Sequence, residues 1–202
     1  MASQPSRLRR IAIGFALYVS AIAIGLGSAW WVLKKAPWMS TTVSVGAWRA
    51  NLRAGSPDAD MYTRASIALN ALLALGRDET MYFIATQDDA GQPLRSNCSY
   101  RAEGVPPAAR WWSVTAYADD LFLFDAPNRH YSLNGSTAVL DAQGKFAFTT
   151  GPQPPQGDAF WLPTPGNRGL LLTLRLYNPE PGLQAAPATL APPTIRRVGA
   201  CA

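Results

Sequence analysis

Between Ala109 and Leu133 the chain reads "ARWWSVTAYADDLFLFDAPNRHYSL". Two tryptophans, an arginine, paired aspartates and the only histidine of the chain fall in this one span. Their types carry chemistry. Indole and phenol rings offer flat apolar faces with a polar handle. A guanidinium grips carboxylates and phosphates through two parallel hydrogen bonds. Histidine moves protons near neutral pH. The candidates for a ligand site are Trp111, Tyr117 and His130 here, joined from later in the chain by Arg175 and Tyr177.

Several chemistries are set aside at once. A single histidine excludes the two-histidine zinc protease motif and argues against a histidine-based metal centre. There is no GxSxG elbow and no phosphate-binding P-loop. The sequence assigns no catalytic residue and implies no cofactor. The pairs Asp88-Asp89 and Asp119-Asp120 resemble carboxylate dyads, yet adjacent residues in a turn rarely aim at one point, and hairpin turns favour aspartate. His130 follows Pro127-Asn128-Arg129, a loop, where a lone histidine is usually structural or solvated.

The elements that must position these residues follow from periodicity. Side chains alternate between the two faces of a strand. In "WWSVTAY", Trp112, Val114 and Ala116 share one face, while Trp111, Ser113, Thr115 and Tyr117 share the other. In "GLLLTLRLY", Leu170, Leu172, Leu174 and Leu176 share one face, while Leu171, Thr173, Arg175 and Tyr177 share the other. The leucine face belongs in a core. The other face mixes hydroxyls, rings and one arginine. If the two mixed faces adjoin, they form a polar-aromatic surface suited to sugars or small anions. The alternatives are an ordinary outer sheet face, or an internal pair of Arg175 with Glu79 or Asp158.

Further strands are expected in "MYFIAT" and "PLRSNCSY" around a turn at Asp88 to Gly91, and in "TAVLDAQGKFAFTT" around Gln143-Gly144. "TTVSVGAW" suggests a short strand or an extended linker. One helix is expected after Ser56-Pro57-Asp58, with Met61, Ala65, Leu69, Leu72 and Leu73 at helical spacing and Gly76 at its end. Ten of the seventeen prolines follow position 150, which predicts extended loop there. The sum is a mainly β fold: an antiparallel β-sandwich with one packed α-helix.

Ile11 to Val32 runs 22 residues without a charge. At about 1.5 Å per residue this spans roughly 33 Å, enough for a hydrocarbon core of about 30 Å. Arginines precede it, lysines follow it, and Trp30 and Trp31 sit where an interfacial belt would. It is read as a transmembrane helix in contact with the lipid bilayer. A cleavable signal peptide is the rival, with "GSA" (Gly27 to Ala29) as its cut site, although the apolar run continues past it. The expected organisation is a cytoplasmic tail over 1–10, the helix over 11–32, a linker over 33–57 and a β-domain over 58–202 outside the cytoplasm.

The net charge of +5 comes from the flanks of this helix. Beyond position 35, thirteen basic residues face thirteen acidic ones. Phosphate neutralisation needs excess positive charge on the folded part, so nucleic acid is not an expected partner. Cys98 and Cys201 have no metal-ligand spacing. In an oxidising compartment they would pair with each other, closing a loop of about 100 residues for up to ~4–5 kcal/mol. Two free thiols are the alternative.

The segments "YTRA" (Tyr62 to Ala65), "ETMYF" (Glu79 to Phe83), "ARWWSVTAYADDLFL" (Ala109 to Leu123), "NRHYSL" (Asn128 to Leu133), "FWLPTP" (Phe160 to Pro165) and "LTLRLYNPEP" (Leu172 to Pro181) follow in order. Together they resemble the bacterial family called domain of unknown function 1214, over roughly Tyr62 to Val198. Where family members typically carry Asn before "WLP", this chain has Phe160. The resemblance implies jelly-roll character, a bacterial envelope setting, and a second domain in many relatives. It brings no activity. The reading is a single-pass inner-membrane protein whose periplasmic domain is a binding or assembly module; a further reading is a purely structural subunit that pairs with a separately encoded envelope partner in place of the second domain. The alternative is an enzyme acting on envelope glycans or related small molecules, its site lined by Trp111, Tyr117, Arg175 and His130.

Overall fold

The structure is a computed structural model and describes residues 7–35, 42–69, 75–157 and 159–201. It falls into two units, Met1–Ser40 and Thr41–Ala202.

The first unit contains helix α1 (Arg7–Lys35). Its stretch Arg7–Val32 is long and apolar enough to cross a membrane. Phe15, Leu17, Ile24 and Trp30 are exposed on different sides of it. A helix apolar all round satisfies its own backbone and suits a lipid environment.

Among the described residues the second unit has ten strands. In chain order these are β1 (Thr42–Val45), β2 (Trp48–Asn51), β3 (Thr80–Ala85), β4 (Tyr100–Gly104), β5 (Ala109–Ala118), β6 (Ser132–Asn134), β7 (Phe146–Gly151), β8 (Phe160–Pro163), β9 (Leu170–Pro179) and β10 (Thr194–Arg197). Helix α2 (Met61–Leu69) lies between β2 and β3, and the short α3 (Pro181–Ala185) follows β9. Six strands form one sheet in the order β1-β2-β3-β9-β5-β6, and four form another in the order β10-β4-β7-β8. The fold is mainly β, as expected.

One apolar core joins the two sheets. The alternating leucines of β9 do what their spacing predicts: Leu172, Leu174 and Leu176 are fully buried. Trp112 and Val114 of β5 lie on the same side, paired in register with Leu176 and Leu174. The Trp112 ring stacks on Phe146 of the other sheet at 4.5 Å. Trp48, also fully buried, donates its indole N–H to the Pro193 carbonyl at 2.7 Å, tying β2 to the approach of β10.

Four expectations change. The pair β7 and β8 is parallel, so the smaller sheet is mixed rather than antiparallel. The prolines at 152, 154 and 155 stiffen that connection into a crossover instead of a hairpin. The turn at Asp88 to Gly91 is present, with Asp88 Oδ1 accepting from the Ala90 and Gln92 amides, but its arms diverge to different sheets. "TIRR" near the C-terminus is strand β10, where extended loop was expected. Finally, α2 begins at Met61, capped by Asp60 rather than opened at Ser56. Asp60 Oδ1 accepts from the Tyr62 and Thr63 amides at 3.0 and 2.9 Å, and Oδ2 from the Thr63 hydroxyl and Arg53. Met61 faces solvent, and the inward side of the helix is Thr63, Ser66 and Ile67. Leu72 and Leu73 lie outside the described residues.

Cys98 and Cys201 stand at disulfide distance, with Cα atoms 4.1 Å apart across a sequence separation of 103. Cys98 is buried in the core and Cys201 is exposed.

Candidate functional site

The two mixed faces do adjoin. β5 and β9 are neighbours in the larger sheet, with Trp111 opposite Tyr177, Ser113 opposite Arg175, Thr115 opposite Thr173 and Tyr117 opposite Leu171. β3 borders β9 on the other side and sets Tyr82 beside Arg175 and Ile84 beside Thr173. The face turned away from the core is thus a patchwork of hydroxyls and rings around one guanidinium.

Arg175 does not stand up from this face. Its Cα lies level with Ser113, yet its guanidinium donates to Thr115 Oγ1 at 3.2 Å and to Tyr117 Oη at 2.9 Å. The side chain therefore lies along the strand direction, with its terminal carbon 5.4 Å from the centre of the Tyr117 ring. Both acceptors are neutral hydroxyls. Among the described residues no carboxylate pairs with Arg175. Of the internal pair weighed as an alternative, Glu79 is not Arg175's partner, and Asp158 lies outside the described residues.

This guanidinium lines a cavity of about 320 Å³ between α2 and the sheet. Ser66 and Ile67 form the helix side. Tyr117, Leu171, Thr173 and Arg175 form the sheet side, and Ile84 and Thr86 close one flank. Leu121, in the turn after β5, also lines it. That leucine has φ of 70°, in the left-handed region that favours glycine. The turn closes tightly there, with the Leu121 amide donating to the Ala118 carbonyl at 2.8 Å.

The five candidates thus divide into three places. Tyr117 and Arg175 meet in the cavity. Trp111 and Tyr177 pair further along the same face, their rings 5.1 Å apart at 58°. Trp111 is 38% exposed. His130 lies elsewhere, over the smaller sheet. Its ring stacks on Phe160 at 4.7 Å, and its Nδ1 takes a hydrogen bond from Asn128 Nδ2 at 3.2 Å. The same Asn128 amide donates to the Trp161 carbonyl and accepts from the His130 backbone, which fixes its orientation. A groove of about 620 Å³ runs past His130, Phe160, Trp161 and Lys145.

The aspartate pairs serve turns. Asp120 Oδ1 accepts from the Phe122 amide, and both Asp119 and Asp120 face Arg168. Asp89 Oδ2 accepts from the Ile195 amide at 3.0 Å, pinning β10. The cavity residues missed in the sequence include Asn51, Ala54, Ser66, Ile67, Ile84, Thr86 and Leu121. The helical spacing pointed at Met61 instead, and nothing local announces a leucine in a left-handed turn.

Residues 79–181, about half of the chain, match the family described as "Protein of unknown function (DUF1214)". The chain belongs to the DUF1214 family. The match covers β3 through the start of α3, and so includes Ile84, Tyr117, Leu171, Thr173 and Arg175 of the cavity but not Asn51 of β2. Among solved structures, this DUF1214 chain is similar to the VPA0106 protein from Vibrio parahaemolyticus, at 21% identity and a TM-score of 0.57. That alignment covers 70% of this chain and 36% of the Vibrio chain, so the present chain spans about a third of that protein. A putative uncharacterized protein from Burkholderia cenocepacia aligns at 15% identity and a TM-score of 0.41, over 73% of this chain and 45% of that one. No curated protein matches the chain.

Proposed function

We propose that this DUF1214 chain is a membrane-anchored binding module of the bacterial envelope, and that its β-domain holds a small anionic ligand in the cavity beneath α2. The observation that carries the reading is Arg175. A guanidinium lining a cavity, restrained by two hydroxyls and unmatched by a carboxylate among the described residues, is a receptor for an external anion. A structural arginine would instead be neutralised within the fold, because a partly buried charge without a partner is costly.

In this reading α1 spans the inner membrane through residues 11–32, with its N-terminus cytoplasmic and the β-domain periplasmic. The oxidising side accounts for the juxtaposed cysteines. The passage of the chain between the two sheets, with β3 in one, β4 in the other, β5 and β6 back in the first, and β7 and β8 in the second, supports a jelly-roll-like winding in this reading. A separately encoded envelope protein is the second partner.

A thermal-shift panel of small anions on the detergent-solubilised chain tests the binding role. Arg175→Leu should leave the melting temperature nearly unchanged and abolish any anion-induced rise. A large loss of stability in that variant would mark Arg175 as structural and remove the reading. A topology reporter fused to the C-terminus should be active only outside the cytoplasm. An affinity pull-down that returned the chain alone would count against the partner.

A further inference from the structure

The cavity wall is mostly hydrocarbon, with the neutral polar groups of Asn51, Ser66, Thr86 and Thr173 spread along it and a single charged group, Arg175. Arg175, Thr115 and Tyr117 gather at one place, while Ile67, Ile84, Leu121 and Leu171 supply hydrocarbon. A guanidinium has five N–H donors. Two of them are spent on Thr115 and Tyr117, which leaves three for a ligand. An inorganic anion would satisfy that place and leave the hydrocarbon facing water. A ligand that suits the whole cavity has one anionic head and an apolar tail.

Size narrows the class. At about 30 Å³ per water-sized group, 320 Å³ accommodates roughly ten non-hydrogen atoms. Two carboxylate oxygens and eight carbons fill that number.

Leu121 gives an independent reason. Its turn position demands a left-handed backbone, which glycine adopts freely and leucine adopts under strain. Strained residues of this kind concentrate at ligand clamps. Here the strained residue is also one that lines the cavity and adds apolar surface to it.

We propose that the cavity binds a medium-chain monocarboxylate, with its head on Arg175 and its tail against Leu121, Leu171 and Ile67. This rests on the anion-site reading above and specifies its ligand class. Leu121 then acts as a specificity residue that selects for the tail.

The test is isothermal titration of the full chain in lipid nanodiscs, with empty nanodiscs as the blank. The probes are octanoate, octan-1-ol, acetate and inorganic phosphate. Octanoate should bind at least ~10-fold more tightly than acetate or phosphate, since the added methylenes are buried. Octan-1-ol should show no binding above the blank. Arg175→Gln should weaken octanoate roughly 10- to 100-fold through loss of charged hydrogen bonds. Leu121→Gly should raise the melting temperature of the free protein, weaken octanoate several-fold and leave acetate unchanged. Phosphate or acetate binding as tightly as octanoate, with the same dependence on Arg175, overturns the ligand class and leaves the anion cavity standing. Octanoate binding that ignores Arg175→Gln overturns the class as well. No anion binding at all removes both readings.

Discussion

Arg175 and Tyr117 are not cross-strand partners, yet they are joined by a 2.9 Å hydrogen bond. Arg175 sits opposite Ser113, and Tyr117 is four residues further along the same strand. The guanidinium reaches it by lying flat along the sheet and passing Thr115 on the way. The tyrosine ring supports the charge from 5.4 Å. Two neutral oxygens and one ring therefore fix where the cation stands without cancelling it.

Tyr117→Phe separates these contributions. The ring stays and the acceptor goes. Stability should change by less than about 1 kcal/mol, because only one partly exposed hydrogen bond is lost. Anion affinity should fall several-fold as the guanidinium loses its restraint. Calorimetric titration beside a denaturant melt reads both effects.

Thr80 is 1% exposed, and among the described residues its hydroxyl has no hydrogen-bond partner. A buried orphan hydroxyl costs free energy that an isosteric methyl does not. Thr80→Val should stabilise the domain by about 1 kcal/mol, raising the melting temperature by ~2–4 °C for a unit of this size. An unchanged or lower melting temperature would contradict this environment.

Titration should set limits at both ends of the pH scale. The Thr63 amide and hydroxyl and the Arg53 guanidinium hold the Asp60 carboxyl below its ordinary value of 3.8. Its contribution to α2 is therefore present above that value and lost as pH falls through the lower folded value. The stability difference between wild type and Asp60→Asn should shrink in that acid range. Burial pushes the Tyr100 phenol above its ordinary value of 10.0. The folded state thus favours the protonated phenol, and stability should decline as pH rises past about 10. Tyr100→Phe should flatten that alkaline limb.

The juxtaposed cysteines give a fourth expectation. Maleimide should label the native protein only after reduction. Cys201→Ser, an exposed change, should destabilise the domain by ~2–4 kcal/mol by freeing a loop of about 100 residues in the unfolded chain. Equal melting of oxidised and reduced protein would show that the pair adds nothing.

Much of this was legible because it is local. The leucines at 170, 172, 174 and 176 announced one buried face, and with it placed Arg175 and Tyr177 on the other. Asp88 and Asp120 announced turns, because their carboxylates cap amides two residues on. The turn at Gln143-Gly144 was equally plain, since Gly144 has φ of 74°. The rest depends on pairing across long stretches of chain. Nothing near "TIRR" says that β10 will find β4 some ninety residues away. Nothing near His130 says that Phe160, not Arg175, will be its neighbour. The left-handed Leu121 is fixed by the closing of its turn beside the sheet, which no propensity foresees.

β9 lies at the centre of the six-stranded sheet, between β3 and β5. It is also the last long strand to be synthesised. A ribosome that has released β5 must add about fifty more residues before β9 begins, roughly 3–10 s at bacterial-scale elongation of ~5–20 residues per second. Throughout that interval two strand edges stay unpaired on the nascent polypeptide. A translation product cut short before Leu170 cannot close them, and would need a chaperone or a protease to keep it from aggregating.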